Sequence, residues 1–152
     1  MKILSLTSIV TATVISFLNL SISNLSAKAQ TPNFFCGRIG ATPATIANKQ
    51  GKNIPIILWG ANNYFAQSGE DALTRCTRVS GILSTQQRNR YRNITVSISK
   101  NGQPIICAAN PHNGSCRLLY QVPHGQNPQQ AKQELLRRVA NPQSNLPPIT
   151  IH

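Results

Sequence analysis

Apolar positions along the chain change their spacing several times, and each change predicts an element. In residues 68–92, Ala72, Leu73, Cys76, Val79, Ile82 and Leu83 recur at steps of three and four, which places them on one side of a long α-helix. Ser68 with Asp71 predicts a capping box. Glu70 and Asp71 put negative charge at the positive end of the helix dipole. Gly81 weakens this helix by about 1 kcal/mol relative to Ala. It either admits another backbone or ends the helix early. Cys76 lies within the stripe and is expected to point into the core.

Shorter periods predict strands on either side. Residues 34–39, carrying Cys36, form a first strand, which Thr42-Pro43-Ala44 breaks; residues 45–47 form a short second one. A polar turn follows, with Gly51 at its tip. Residues 54–59 give the strongest strand pattern, apolar on both faces, so both faces are expected to be covered. Pro55 belongs near the start of that strand or on an edge. Trp59 is either a core anchor or a stacking platform, and Tyr64 with Phe65 either closes the core or belongs to a ligand surface. Residues 94–99 alternate as a half-buried strand, Asn101-Gly102 predicts a hairpin, and residues 103–109 return as its partner. Residues 118–122 add another strand. Asn127 then caps a second helix with Pro128 at its first position, and Ala131, Leu135, Leu136 and Val139 form its stripe. Asn141-Pro142 stops it, and residues 142–152 are expected to be a disordered tail. The sum is an α+β fold: one antiparallel sheet of about five strands with two helices packed on one face.

The N-terminus sets the compartment. Lys2, a largely apolar run over residues 3–20 and the Ala27-Lys28-Ala29 site predict a secretory signal peptide over residues 1–29. The competing reading is an uncleaved anchor, for which the run is diluted by Ser, Thr and Asn. Removing residues 1–29 of 152 leaves 123 and one small domain, residues 30–141 before the tail. The formal charge falls from +12 to +10 as Lys2 and Lys28 leave. Cys36, Cys76, Cys107 and Cys116 are an even set in an exported chain and predict two disulfides. Three connectivities are open. Cys36–Cys76 with Cys107–Cys116 is preferred, because Pro111, Asn113 and Gly114 let the shorter loop turn easily. Loop entropy gives about 4 and about 2.7 kcal/mol for those two bridges, and it does not separate the alternatives. No C-x-x-C pair supports a zinc site, and no pattern implies a cofactor.

Several stretches, in order, resemble a known family. They are Cys36 with Pro43-Ala44-Thr45, Pro55-Ile56-Ile57 ahead of Trp59, Tyr64-Phe65, and Arg75-Cys76 with Val79-Ser80. Then come Asn101-Gly102-Gln103-Pro104-Ile105-Ile106-Cys107, and Cys116 followed by Leu118-Leu119. This set is similar to the cyanobacterial circadian oscillating protein family of small exported proteins. The resemblance implies a periplasmic, lumenal or cell-surface address and no established catalytic residues.

Candidate chemistry is sparse. No G-x-S-x-G, H-E-x-x-H, G-x-G-x-x-G or P-loop pattern occurs. The acids are Glu70, Asp71 and Glu134. A small basic secreted ribonuclease-like hydrolase, pairing Glu134 with His112 or His124, is the alternative function. The preferred one is a non-catalytic exported domain. Arg88, Arg90 and Arg92, with Tyr91 among them, form the densest basic run, and in extended geometry the three arginines share a face. Guanidinium suits phosphate, sulfate and carboxylate groups. An exported chain would offer this stripe to an acidic protein, an anionic polysaccharide or a membrane surface before nucleic acid. The oligomeric state is left open.

Overall fold

The computed structural model describes residues 31–60 and 69–152. The predicted leader, the Tyr64-Phe65 pair and Ser68 lie outside them.

The described residues build two sheets where one was expected. The first takes β1 (Asn33–Ile39), β2 (Thr42–Lys49), β3 (Lys52–Trp59) and β7 (Ile149–Ile151) in the order β1-β2-β3-β7. The second takes β4 (Ile94–Ile98), β5 (Pro104–Ala109) and β6 (Cys116–Gln121) in sequence order. Two helices connect and cover them, α1 (Ala72–Gln86) and α2 (Pro128–Ala140). They do not share one face of one sheet: α1 lies on β1, β2 and β3, while α2 lies on β4 and β5. One buried cluster joins all of it, including Phe34, Ile57 and Trp59 from the first sheet, Leu83 from α1, Ile106 from the second sheet and Leu135 from α2.

Local chemistry explains the hairpins. Gln50 and Gly51 both take positive φ, 53° and 77°, which matches the twist of the flanking strands in a two-residue turn. Pro43 does not break β2. It precedes the β2–β3 ladder, which starts at Ala44↔Leu58, so its missing N–H leaves no gap on that side. Pro55 sits opposite Ile46 where the register shifts, another place a strand tolerates proline. On β3, Ile54, Ile56, Ile57 and Trp59 are buried and Leu58 is half-buried.

A hydroxyl centres the first layer. Thr45 is fully buried, and its Oγ1 accepts from Trp59 Nε1 at 3.0 Å and lies 3.1 Å from Ser80 Oγ. Trp59 is thereby a core anchor. Directly across the ladder from Thr45 on β1, Cys36 is bonded to Cys76 of α1. On α1, Cys76, Val79, Ile82 and Leu83 are buried as expected, but Leu73 is exposed. The cap also differs. Asp71 is itself the N-cap, accepting from Thr74 N at 2.7 Å, a bond that holds its carboxyl below the usual range. Gly81 is exposed, and a Cβ there would meet nothing within 4 Å.

The segment expected to be a disordered tail is ordered. Arg138 is buried, pairs with Glu134 at 2.9 Å and donates to Pro147 O at 2.9 Å, which turns the chain back toward the first sheet. Ile149–Ile151 then pairs in parallel with Ile57, Leu58 and Trp59 of β3. Gly60 N donates to Ile151 O at 2.6 Å, an approach close enough that a Cβ on Gly60 would lie 3.1 Å from that oxygen. Three residues are too few to show a period, and the prolines around them obscured the strand.

Thr45→Val removes the acceptor for the buried Trp59 N–H and is expected to cost about 1–3 kcal/mol. Gly81→Ala is expected to add up to about 1 kcal/mol, since it gains helix propensity without a clash. Urea unfolding midpoints of the oxidised protein measure both.

Candidate anion-binding site

The basic run forms neither the helix nor the extended stripe considered for it. After α1 the chain makes a single 3₁₀ turn, Gln87–Asn89, and then Arg90 and Tyr91 both adopt left-handed backbone at φ 50° and 58°. Non-glycine residues rarely accept this conformation, at a cost of order 1 kcal/mol each. Four backbone bonds hold it: Arg90 N to Gln87 O, Tyr91 N to Gln86 O, Arg92 N to Asn89 O and Ile94 N to Tyr91 O, all 2.9–3.1 Å.

The reversal sorts the side chains. Tyr91, expected beside the arginines on the surface, is only 6% exposed and meets the ring of Phe34 edge-on at 6.3 Å. Burial pushes its phenol pKa up. Arg88, Arg90 and Arg92 remain exposed and line one open cavity of about 430 Å³ with Asn89, Asn93 and Pro111. The structure therefore brings together three of the four residues predicted for the site and moves the fourth into the core.

Pro111 arrives from the loop closed by the Cys107–Cys116 bond. Asn110 N to Ser115 O at 2.7 Å and Gly114 N to Asn110 O at 2.9 Å shape that loop, and Ala109 N donates to Asn93 O at 2.8 Å where it leaves β5. Asn89, Asn93 and Pro111 were not assigned to the site from the sequence. Pro111 stood out only as a residue that lets the short disulfide loop turn, and the β4–β5 pairing sets that loop beside Asn93.

Carboxylates lie elsewhere. Glu70 makes a two-pronged bond with Arg78 at 2.8 and 2.9 Å, Asp71 caps α1 and Glu134 pairs with Arg138. Glu134, the acid that the ribonuclease-like alternative required, is thus bonded to an arginine. Among the described residues, no side chain pairs with Arg88, Arg90 or Arg92, and no cluster of three metal-ligating side chains occurs.

Both disulfides join the preferred partners, Cys36 with Cys76 and Cys107 with Cys116, and are compatible with an exported protein. No described helix is long and apolar enough to cross a membrane. Comparison of the chain with family models finds a match over residues 33–150 to the family described as circadian oscillating protein COP23. The chain belongs to this family. Among curated proteins and solved structures nothing matches. The COP23 match runs from β1 into β7, so it takes in both sheets, all four cysteines and the whole arginine loop. It assigns the chain to COP23 without assigning a chemistry to the cavity.

The Tyr91 Oη atom is buried and has no hydrogen-bond partner among the described residues. Tyr91→Phe is therefore expected to leave stability unchanged or raise it by up to about 1 kcal/mol, whereas Tyr91→Ala is expected to cost about 3 kcal/mol. Paired thermal and urea unfolding of the two variants checks the ring as the anchor of the loop.

Proposed function

We propose that this COP23-family chain is an exported, non-catalytic domain that binds an anionic partner or surface at the arginine cavity. The observation that carries the reading is an imbalance of charge. Three exposed guanidinium groups surround one cavity with no carboxylate partner among the described residues, while all three acids of the chain are engaged with other groups. Exposed arginines that only decorate a surface gain little from where they are placed. Here a left-handed backbone pair and a buried tyrosine hold them around one hollow.

The predicted leader and the two disulfides support an oxidising address: periplasm, thylakoid lumen or cell surface. In those places the available anions are acidic proteins, anionic polysaccharides and membrane headgroups. The engagement of Glu70, Asp71 and Glu134 supports the non-catalytic part of the reading, since none is left as a poised acid or base.

Elution from heparin resin tests the site against bulk charge. The Arg88→Ala/Arg90→Ala/Arg92→Ala protein is expected to elute at clearly lower salt than Lys49→Ala/Lys100→Ala/Lys132→Ala, which removes the same charge elsewhere. Equal elution of the two triple variants would reduce the cavity to ordinary surface charge.

A further inference from the structure

The cavity carries more than positive charge, and its other walls narrow the ligand. Asn89 and Asn93 line it beside the arginines, and the described hydrogen bonds use neither side-chain amide. Each amide offers two donors and an acceptor, a set that matches hydroxyl groups, which both give and take hydrogen bonds. A bare phosphate or sulfate needs donors alone. Pro111 adds the C–H surface of its ring, an apolar wall that a naked inorganic anion does not use. Guanidinium, amide and a small apolar face together fit a ring that bears a charge and several hydroxyls.

Resting on the proposed anion-binding role, we infer that the cavity takes an anionic sugar: a carboxylate- or sulfate-bearing residue of a polysaccharide. Arginine holds the charged group, the two asparagine amides hold ring hydroxyls, and Pro111 covers the C–H face of the ring. The volume is at the low end of small-molecule sites.

Other anions fit the surroundings less well. A bilayer is gripped by apolar side chains inserted beside basic ones, but the exposed large apolar residues Phe35, Ile39, Leu73 and Ile98 do not line the cavity. Single-stranded nucleic acid is held by exposed aromatic rings, whereas Tyr91, the aromatic within the arginine run, is buried and no aromatic residue lines the cavity among the described residues. A stable protein partner covers about 800 Å² of each surface, and a single hollow supplies only part of that.

The test uses the oxidised mature protein and four probes: oligogalacturonate, sulfated dextran oligomers, polyphosphate of matched charge, and vesicles rich in anionic lipid. Calorimetric titration of wild type is expected to show saturable binding to at least one charged sugar, at least tenfold tighter than to polyphosphate or vesicles. Asn89→Ala and Asn93→Ala are expected to weaken the sugar complex by about five- to tenfold. They should leave the unfolding midpoint unchanged. Asn93→Ser, which puts a hydroxyl in place of the amide, should recover part of the loss. Equal affinity for polyphosphate and sugar, tighter binding to vesicles, or Asn variants that bind sugar as wild type does, each overturns the sugar assignment while leaving anion binding intact. Binding of every probe that survives the triple arginine replacement overturns both readings.

Discussion

The Cys36–Cys76 bond joins the middle of β1 to the early part of α1 and so sets the direction in which the helix crosses the first sheet. That direction carries the later turns of α1 along the outer edge of β1. There Ser84 Oγ donates to Phe34 O at 3.0 Å, and the Gln87 side chain donates to Pro32 O. An edge strand otherwise offers its backbone to any passing chain. The same residues fix where α1 ends, and therefore where the arginine loop begins. The second disulfide performs the matching task on the other sheet, by holding Pro111 against the loop. A covalent crosslink at each end thus determines the geometry of a surface that neither touches directly.

Electrostatics and packing divide the work within this frame. Every acid is committed to an internal partner, and two of those partnerships orient arginines that serve the fold: Arg78, which also reaches Leu118 O on β6, and Arg138, which reaches Pro147 O. Among the described residues, Arg75 is buried, while Arg88, Arg90 and Arg92 carry their charge on the surface with no acid beside them. Self-repulsion of that kind opposes compactness, and in this chain the crosslinks and the shared core resist it.

What could be read from the sequence was local. The α1 stripe, the Asn127–Pro128 start of α2, the Asn101-Gly102 hairpin and the Cys107–Cys116 loop each depend on residues a few positions apart. What could not be read was pairing at a distance. Nothing in the alternation of residues 94–99 says that β4 starts a separate sheet. Nothing in residues 142–152 announces a parallel partner in β3. The site shows the same limit. Arg88, Arg90 and Arg92 stood out as a group, but the turn that gathers them is decided by Phe34, on another strand, which receives the Tyr91 ring. An alternating pattern suggested an extended stripe because the core contact that reverses the backbone lies far away in sequence.

The order of strands in the first sheet has a temporal meaning. β1, β2 and β3 follow one another and can register as soon as they are made, yet β7 comes after every other element. For a chain that emerges N-terminus first, the flank of β3 beside Trp59 stays open while both helices and the whole second sheet are assembled. Closure through so distant a contact is slow. The first sheet therefore cannot close until residues 149–151 have been made, so its last seam depends on the far end of the chain.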